Sequence, residues 1–174
     1  QLKIIENHRD CKKIFLAAGY KKNRLKFYKK KLKIINIPDF KKKNMLHSLI
    51  FSINKIKPKN DLIVTYGDII YNNSVFKKIL ISKHSISTIS HANFLKLWKF
   101  RFKKKFMSDL ETFKIKNKSV ITEIGSKPNN LNEIKGQYLG ISKFKKDQIK
   151  SILRIYKKYK KKYNLDKKHI TYFF

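Results

Sequence analysis

Asp68 follows Gly67 directly after Leu62, Ile63, Val64, Thr65 and Tyr66, so a carboxylate stands at the carboxyl end of an apolar, β-branched run. In open α/β sheets ligands bind beyond the carboxyl ends of the strands, which favours an acid placed there over one on a helix. Next to a glycine, which lets a nucleotide phosphate approach the backbone, such a carboxylate can hold a divalent cation. The plainer role for Asp68 is to cap the turn that follows, and position alone leaves both open.

Other reactive side chains are less organised. His8, His47, His84, His91 and His169 have no regular metal-ligand spacing and read as ordinary surface or core histidines. Cys11 is the only cysteine, which rules out an internal disulfide and a multi-cysteine zinc site and suits a reducing cytoplasm. Trp98 with Phe94, Phe100 and Phe102, interleaved with Lys96, Lys99, Arg101 and Lys103 to Lys105, could stack on and neutralise single-stranded nucleic acid. The same pattern fits an amphipathic cover over a sheet, which is the preferred expectation.

The elements that must carry these residues alternate in type. A short helix from Leu2 leads to a strand over 14–18, stopped by Gly19, then a short basic helix over 23–31 and a strand through Leu32, Ile34, Ile35 and Ile37. Leu46, Leu49, Ile50, Ile53 and Ile56 lie three and four apart, the spacing of one helical face, with Pro58 and Asn60 as the stop. The run 62–66 reads as a central parallel strand buried on both faces. A helix through Val75, Phe76, Ile79 and Leu80 and a strand over 86–89 complete an α/β layered pattern. Beyond it, 112–116 and 120–124 flank Asn117, Lys118 and Ser119 as a hairpin. A strand over 138–144 and a long helix with Ile149, Ile152, Leu153, Tyr156, Tyr159 and Tyr163 on one stripe follow. No internal repeat and no linker divides the chain, so residues 1–174 are expected to form one domain.

At 174 residues a single domain buries roughly two-thirds of the surface that the unfolded chain exposes. A hydrophobic fraction of 41% excludes a disordered polycation. The 44 Lys and Arg against 11 Asp and Glu give a formal charge of +33. That balance suits a polyanionic partner. The basic residues are nevertheless mostly Lys, spread through every segment alongside abundant Ile, Asn, Tyr and Phe, the skew that an AT-rich coding sequence produces. No stretch approaches the roughly 18 apolar residues of a membrane span, and no signal pattern opens the chain, so a cytoplasmic location is expected. The chain begins at Gln1 and ends in Ile170, Tyr172, Phe173 and Phe174, as an element cut in mid-course would.

Several short motifs, taken in order, resemble the nucleotidyltransferases of the sugar-phosphate and phosphocholine cytidylyltransferase, or pyrophosphorylase, type. They are Asn44-Met45-Leu46-His47-Ser48-Leu49, Tyr66-Gly67-Asp68-Ile69-Ile70-Tyr71, Ser108-Asp109-Leu110-Glu111-Thr112, Glu123-Ile124-Gly125-Ser126-Lys127-Pro128 and Gly136-Gln137-Tyr138-Leu139-Gly140. None is specific alone, and the weight lies in their order and spacing. The resemblance implies a three-layer, Rossmann-like fold of the glycosyltransferase-A type with a mixed sheet. It implies Mg²⁺-dependent attack of a substrate phosphate on the α-phosphorus of a nucleoside triphosphate, with release of pyrophosphate. Asp68 would be a metal ligand, Lys127 the catalytic residue that meets the substrate phosphate, and Asn44, Gly136 and Tyr138 the lining of the substrate pocket. Without the resemblance, Lys127 is one solvated lysine among many and Tyr138 a routine strand aromatic.

Two departures follow from the same comparison. The family opens with a strand and a glycine-rich loop that grips the triphosphate, and nothing in these residues supplies it. A late second aspartate should complete the metal site, yet Asp166 lies in a Lys-rich turn without the pattern. The fold is therefore expected to be incomplete at both ends and the chain inactive by itself. CTP with phosphocholine or a related aminoalkyl phosphate is the first expected substrate pair, with a sugar 1-phosphate close behind, in surface-polymer or lipid-headgroup assembly. The alternative is a basic, non-enzymatic RNA-binding protein, which would depend on its lysines and not on Asp68.

Overall fold

The computed structural model describes residues 1–28 and 30–174. Its elements run α1 (Leu2–Glu6), β1 (Phe15–Ala18), β2 (Lys33–Asn36), α2 (Met45–Ile56), β3 (Leu62–Thr65), α3 (Asn73–Ile81), β4 (Ile86–His91), α4 (Phe94–Phe102), β5 (Phe113–Lys116), β6 (Val120–Ile124), β7 (Gln137–Phe144) and α5 (Lys146–Tyr159). The helix expected over 23–31 is a 3₁₀ segment, Lys22–Tyr28, and residue 29 of that span lies outside the described residues.

β7 is the centre of a three-stranded sheet, paired antiparallel with β3 on one side and β4 on the other. Period-two alternation then sorts its side chains onto two faces. Leu62, Val64 and Tyr66 join Phe144 on one face, beneath Leu46, Leu49, Ile50 and Ile53 of α2 and Ile149, Ile152 and Tyr156 of α5. Ile63, Leu139 and Ile141 face the other way, against Phe76 and Ile79 of α3 and Ile4 and Ile5 of α1. Helices thus cover both faces of this antiparallel sheet in three layers, and the parallel pairing lies in the separate β1–β2 sheet, so the expected mixed sheet is split in two. Each fully buried Phe or Ile contributes about 1.5–3 kcal/mol of transfer free energy.

The caps explain where two of these helices begin. Asn44 starts α2 by accepting the Met45 N–H at 2.7 Å, and Asn72 starts α3 by accepting from Val75 at 3.1 Å. At the other end of α3, the buried Lys143 donates to the carbonyls of Leu80 and Ser82 at 2.7 and 2.9 Å. Its charge complements the helix C-terminus and is paired with Asp61 at 3.4 Å.

The run 62–66 differs from the fully buried central parallel strand that its composition suggests. β3 is half-buried and antiparallel to its partner β7. The reason lies at its other edge. β1 and β2 form a separate parallel pair, and a cavity of about 2110 Å³ lies between them and β3, lined by Phe15, Leu16 and Ala17 on one side and residues 62–66 on the other. Two strand edges therefore face one apolar space. Among the described residues these edge N–H and C=O groups have no strand partner across that space.

β5 and β6 form the expected hairpin, with Asn117 and Lys118 both at positive φ in the turn. α4 lays Phe94, Leu95 and Trp98 onto Leu110 and Ile134, which lie outside the strands, so it covers a cluster of connecting segments and not the sheet that was expected beneath it.

Candidate functional site

Tyr66, one residue beyond β3, donates its N–H to the Gly140 carbonyl at 2.8 Å, which continues the β3–β7 ladder to the carboxyl end of β3. Its ring meets that of Tyr138, on β7, edge to face at 5.6 Å. Gly140 makes this possible. It has φ +84°, and a Cβ there would lie 2.8 Å from Tyr66 Cδ2. Gly67 and Asp68 turn away at this point, both exposed, with no atom near the position a Gly67 Cβ would occupy. Asp68 makes no ion pair among the described residues. The large cavity extends along β3 to reach Tyr66, Gly67 and Asp68.

Tyr138 is wedged between Tyr66 and Phe174, whose rings lie at 5.6 and 6.0 Å, and its hydroxyl shares a 2.9 Å hydrogen bond with Ser142. Burial pushes its pKa up to about 12. Burial also raises Tyr66, helped by the nearby charges of Tyr138, Glu111 and Asp68. Both phenols are thus neutral at physiological pH.

Glu111 joins this group although its residue type and spacing did not single it out. Gln137 is buried and clamps it, donating from Nε2 to the Glu111 carbonyl at 2.7 Å and accepting from its N–H at 3.4 Å. Burial raises the Glu111 carboxyl, while His169 and Thr171 draw it back down. A sequence signal did exist: acids are scarce in this chain, and Glu111 precedes the buried pair Thr112 and Phe113.

The remaining expected site residues are placed as follows. Lys127 is exposed on the loop after β6 and has no ion-pair partner among the described residues. That loop starts at Gly125, where φ is +86° and a Cβ would meet Thr171 Oγ1 at 2.8 Å. It therefore packs on the segment that also neighbours Glu111. Gly136 is buried where β7 meets β4, with Ser90 atoms 3.1 Å from where its Cβ would be. Asn44 is occupied elsewhere. Besides capping α2, it takes the Asp166 carbonyl with its N–H at 2.7 Å and the Lys167 carbonyl with Nδ2 at 3.4 Å. No hydrogen bond among the described residues joins it to Asp68 or Tyr138.

Asp166 itself has a structural environment. Tyr156 donates its hydroxyl to it, His47 Nδ1 lies at 3.3 Å, and Lys160 and Lys43 at 3.1 and 3.5 Å. Burial alone would raise its pKa, but the hydrogen bonds from Tyr156 and Lys160 and the two lysine charges hold it near about 2. The turn pins the C-terminal segment to the start of α2.

Mg²⁺ commonly takes only one or two protein carboxylates and fills its other positions with water and phosphate. An exposed, unpaired Asp68 on an open turn fits that donor requirement. Among the described residues no group of three His, Cys, Asp or Glu side chains forms a protein cage for a metal. Two neutral phenols and two carboxylates suit positioning and charge neutralisation, and Lys127 is accessible on the loop after β6.

No family model matches the sequence. Over 150 residues the chain is 31% identical to a CTP:phosphoglutamine cytidylyltransferase of Campylobacter jejuni subsp. jejuni, a match covering 82% of this chain and 58% of the relative. In fold it is similar to a Bacillus anthracis structure assigned as a glucose-1-phosphate thymidylyltransferase in complex with a sucrose. The TM-score is 0.63 at 15% identity, over 98% of this chain and 65% of the other. The chain spans less than two-thirds of the length of either relative. Among the described residues no helix is long and apolar enough to cross a membrane.

Proposed function

We propose, from the premise that this chain belongs to the nucleotidyltransferase family, that the whole protein transfers a cytidylyl group from CTP to a phosphorylated small molecule and releases pyrophosphate. The observation that carries this reading is the 31% identity, sustained over 150 residues, to a cytidylyltransferase. CTP is favoured over the other nucleotides by the name of that relative, which also brings phosphoglutamine forward as an acceptor beside phosphocholine and a sugar 1-phosphate.

In the proposed reaction the acceptor phosphate oxygen attacks the α-phosphorus of CTP, the bond to the β-phosphate oxygen breaks, and pyrophosphate leaves with that electron pair. Mg²⁺, when bound, would neutralise phosphate charge, and Asp68 is the residue that would hold it. Lys127 would approach the acceptor phosphate from the loop after β6. Tyr138, held by Ser142, and Tyr66 would form an apolar wall with hydroxyl edges beside the acceptor. Gly136 would keep β7 close to β4, so that this wall stays in register. Asn44 would act through the start of α2, with no reacting atom assigned to it.

The test is pyrophosphate release by the full polypeptide as encoded, with each of the four nucleoside triphosphates against phosphoglutamine, phosphocholine and glucose 1-phosphate. Turnover confined to CTP with one acceptor supports the reading and names the acceptor. Absence of turnover with every pair, together with tight, salt-sensitive RNA binding, would replace it with the non-enzymatic alternative.

A further inference from the structure

α4 carries two apolar faces. Phe94, Leu95 and Trp98 face inward onto Leu110 and Ile134. Leu97 and Phe100 point outward, 42% and 83% exposed. At i and i+3 these two are neighbours on the helix surface. A helix that only covers a core keeps its outer face polar.

The surroundings of the outward pair are basic throughout. Between Asp68 and Asp109 the sequence holds no acidic residue, while nine Lys and Arg fall in that interval. Lys96, Lys99, Arg101 and Lys104 are all exposed on or just after the helix, with Lys99 reaching over Phe106 and Arg101 over Trp98 and Phe102. Compositional drift accounts for many lysines, but it does not place Leu97 and Phe100 together on the outside.

We propose that this outward face of α4, Leu97 and Phe100 with the exposed basic residues beside them in the chain, docks on an anionic lipid bilayer surface. Apolar side chains enter the boundary between headgroups and acyl chains while the surrounding cations meet anionic headgroups. Single-stranded RNA is the weaker match. The ring best suited to stack on a base, Trp98, is already engaged: its Nε1 donates to Asp109 at 3.1 Å, its ring abuts Phe94, and the Arg101 guanidinium lies 5.8 Å over it. Leu97 has no flat face to stack.

The experiment uses the full polypeptide as encoded with vesicles of phosphatidylcholine, with and without phosphatidylglycerol, followed by co-sedimentation. The expected result is binding only to the anionic vesicles. Leu97→Ser/Phe100→Ser, which keeps every charge and removes only exposed groups, lowers that binding by about tenfold or more. Phe100→Ser alone gives an intermediate loss, with an unchanged far-UV circular dichroism spectrum confirming the fold. Lys157→Ser/Lys158→Ser on α5, which removes two exposed positive charges away from α4, changes binding little. Undiminished binding by the apolar double variant, an equal loss with the α5 variant, or poly(U) displacing the chain from the vesicles would each overturn the proposal.

Discussion

Tyr66 and Tyr138 meet edge to face, 5.6 Å between ring centroids, at the end of the β3–β7 ladder from which Asp68 projects. Gly140 on β7 leaves the space for the Tyr66 ring. Gly140→Ala forces a Cβ into that ring at a positive φ. The expected loss is about 1–3 kcal/mol of unfolding free energy. Urea denaturation measures it, and the full polypeptide should also lose turnover through a displaced Tyr66.

Asp166 holds the C-terminal segment to α2. Its carboxyl lies near about 2, below its ordinary value of 3.8. The resulting stability is present in full above the ordinary value and is lost as pH falls from there towards about 2, because the unfolded chain takes up its proton first. Asp166→Asn should lower stability at neutral pH by about 1–3 kcal/mol and flatten this acid limb. Thermal unfolding recorded across that pH range tests both.

Glu111 has the opposite sign. Burial raises its carboxyl above the ordinary 4.5. As pH climbs through the ordinary value and then the raised one, the unfolded chain releases its proton first, and the folded state loses stability. Glu111→Gln removes this alkaline-side loss. The same thermal series distinguishes the two residues, since each changes a different limb.

β7 is paired on both edges, whereas β1 and β3 each leave one edge on the cavity. Hydrogen exchange followed by mass spectrometry should therefore find β7 peptides the most protected of the three strands and those of β1 and β3 considerably faster. Equal protection of β3 and β7 would mean that the cavity is closed in solution.

Much of this architecture is legible from periodicity. The Leu46 to Ile56 stripe, the hairpin around Asn117 and the Ile149 stripe each form where their spacing places them, because one buried face dictates each pattern. The partner of β3 was not legible. An apolar run of five residues cannot report strand direction, and β7, which pairs with it, lies more than seventy residues away. Glu111 stands in one of the quoted motifs but received no role there, for a similar reason. Its importance comes from Gln137 and Tyr66, which only the folded chain brings beside it. The position of Asp68 after a strand and a glycine was legible because that signal is local.

The most direct measurement is pyrophosphate release from CTP by the full polypeptide with Asp68 intact and as Asp68→Ala, at saturating acceptor and a series of Mg²⁺ concentrations. The side chain is exposed and unpaired, so the substitution should leave the melting temperature unchanged. The account expects turnover to fall by about two orders of magnitude or more, with part of the loss recovered at high Mg²⁺. Unaltered turnover and unaltered Mg²⁺ dependence in Asp68→Ala would contradict it.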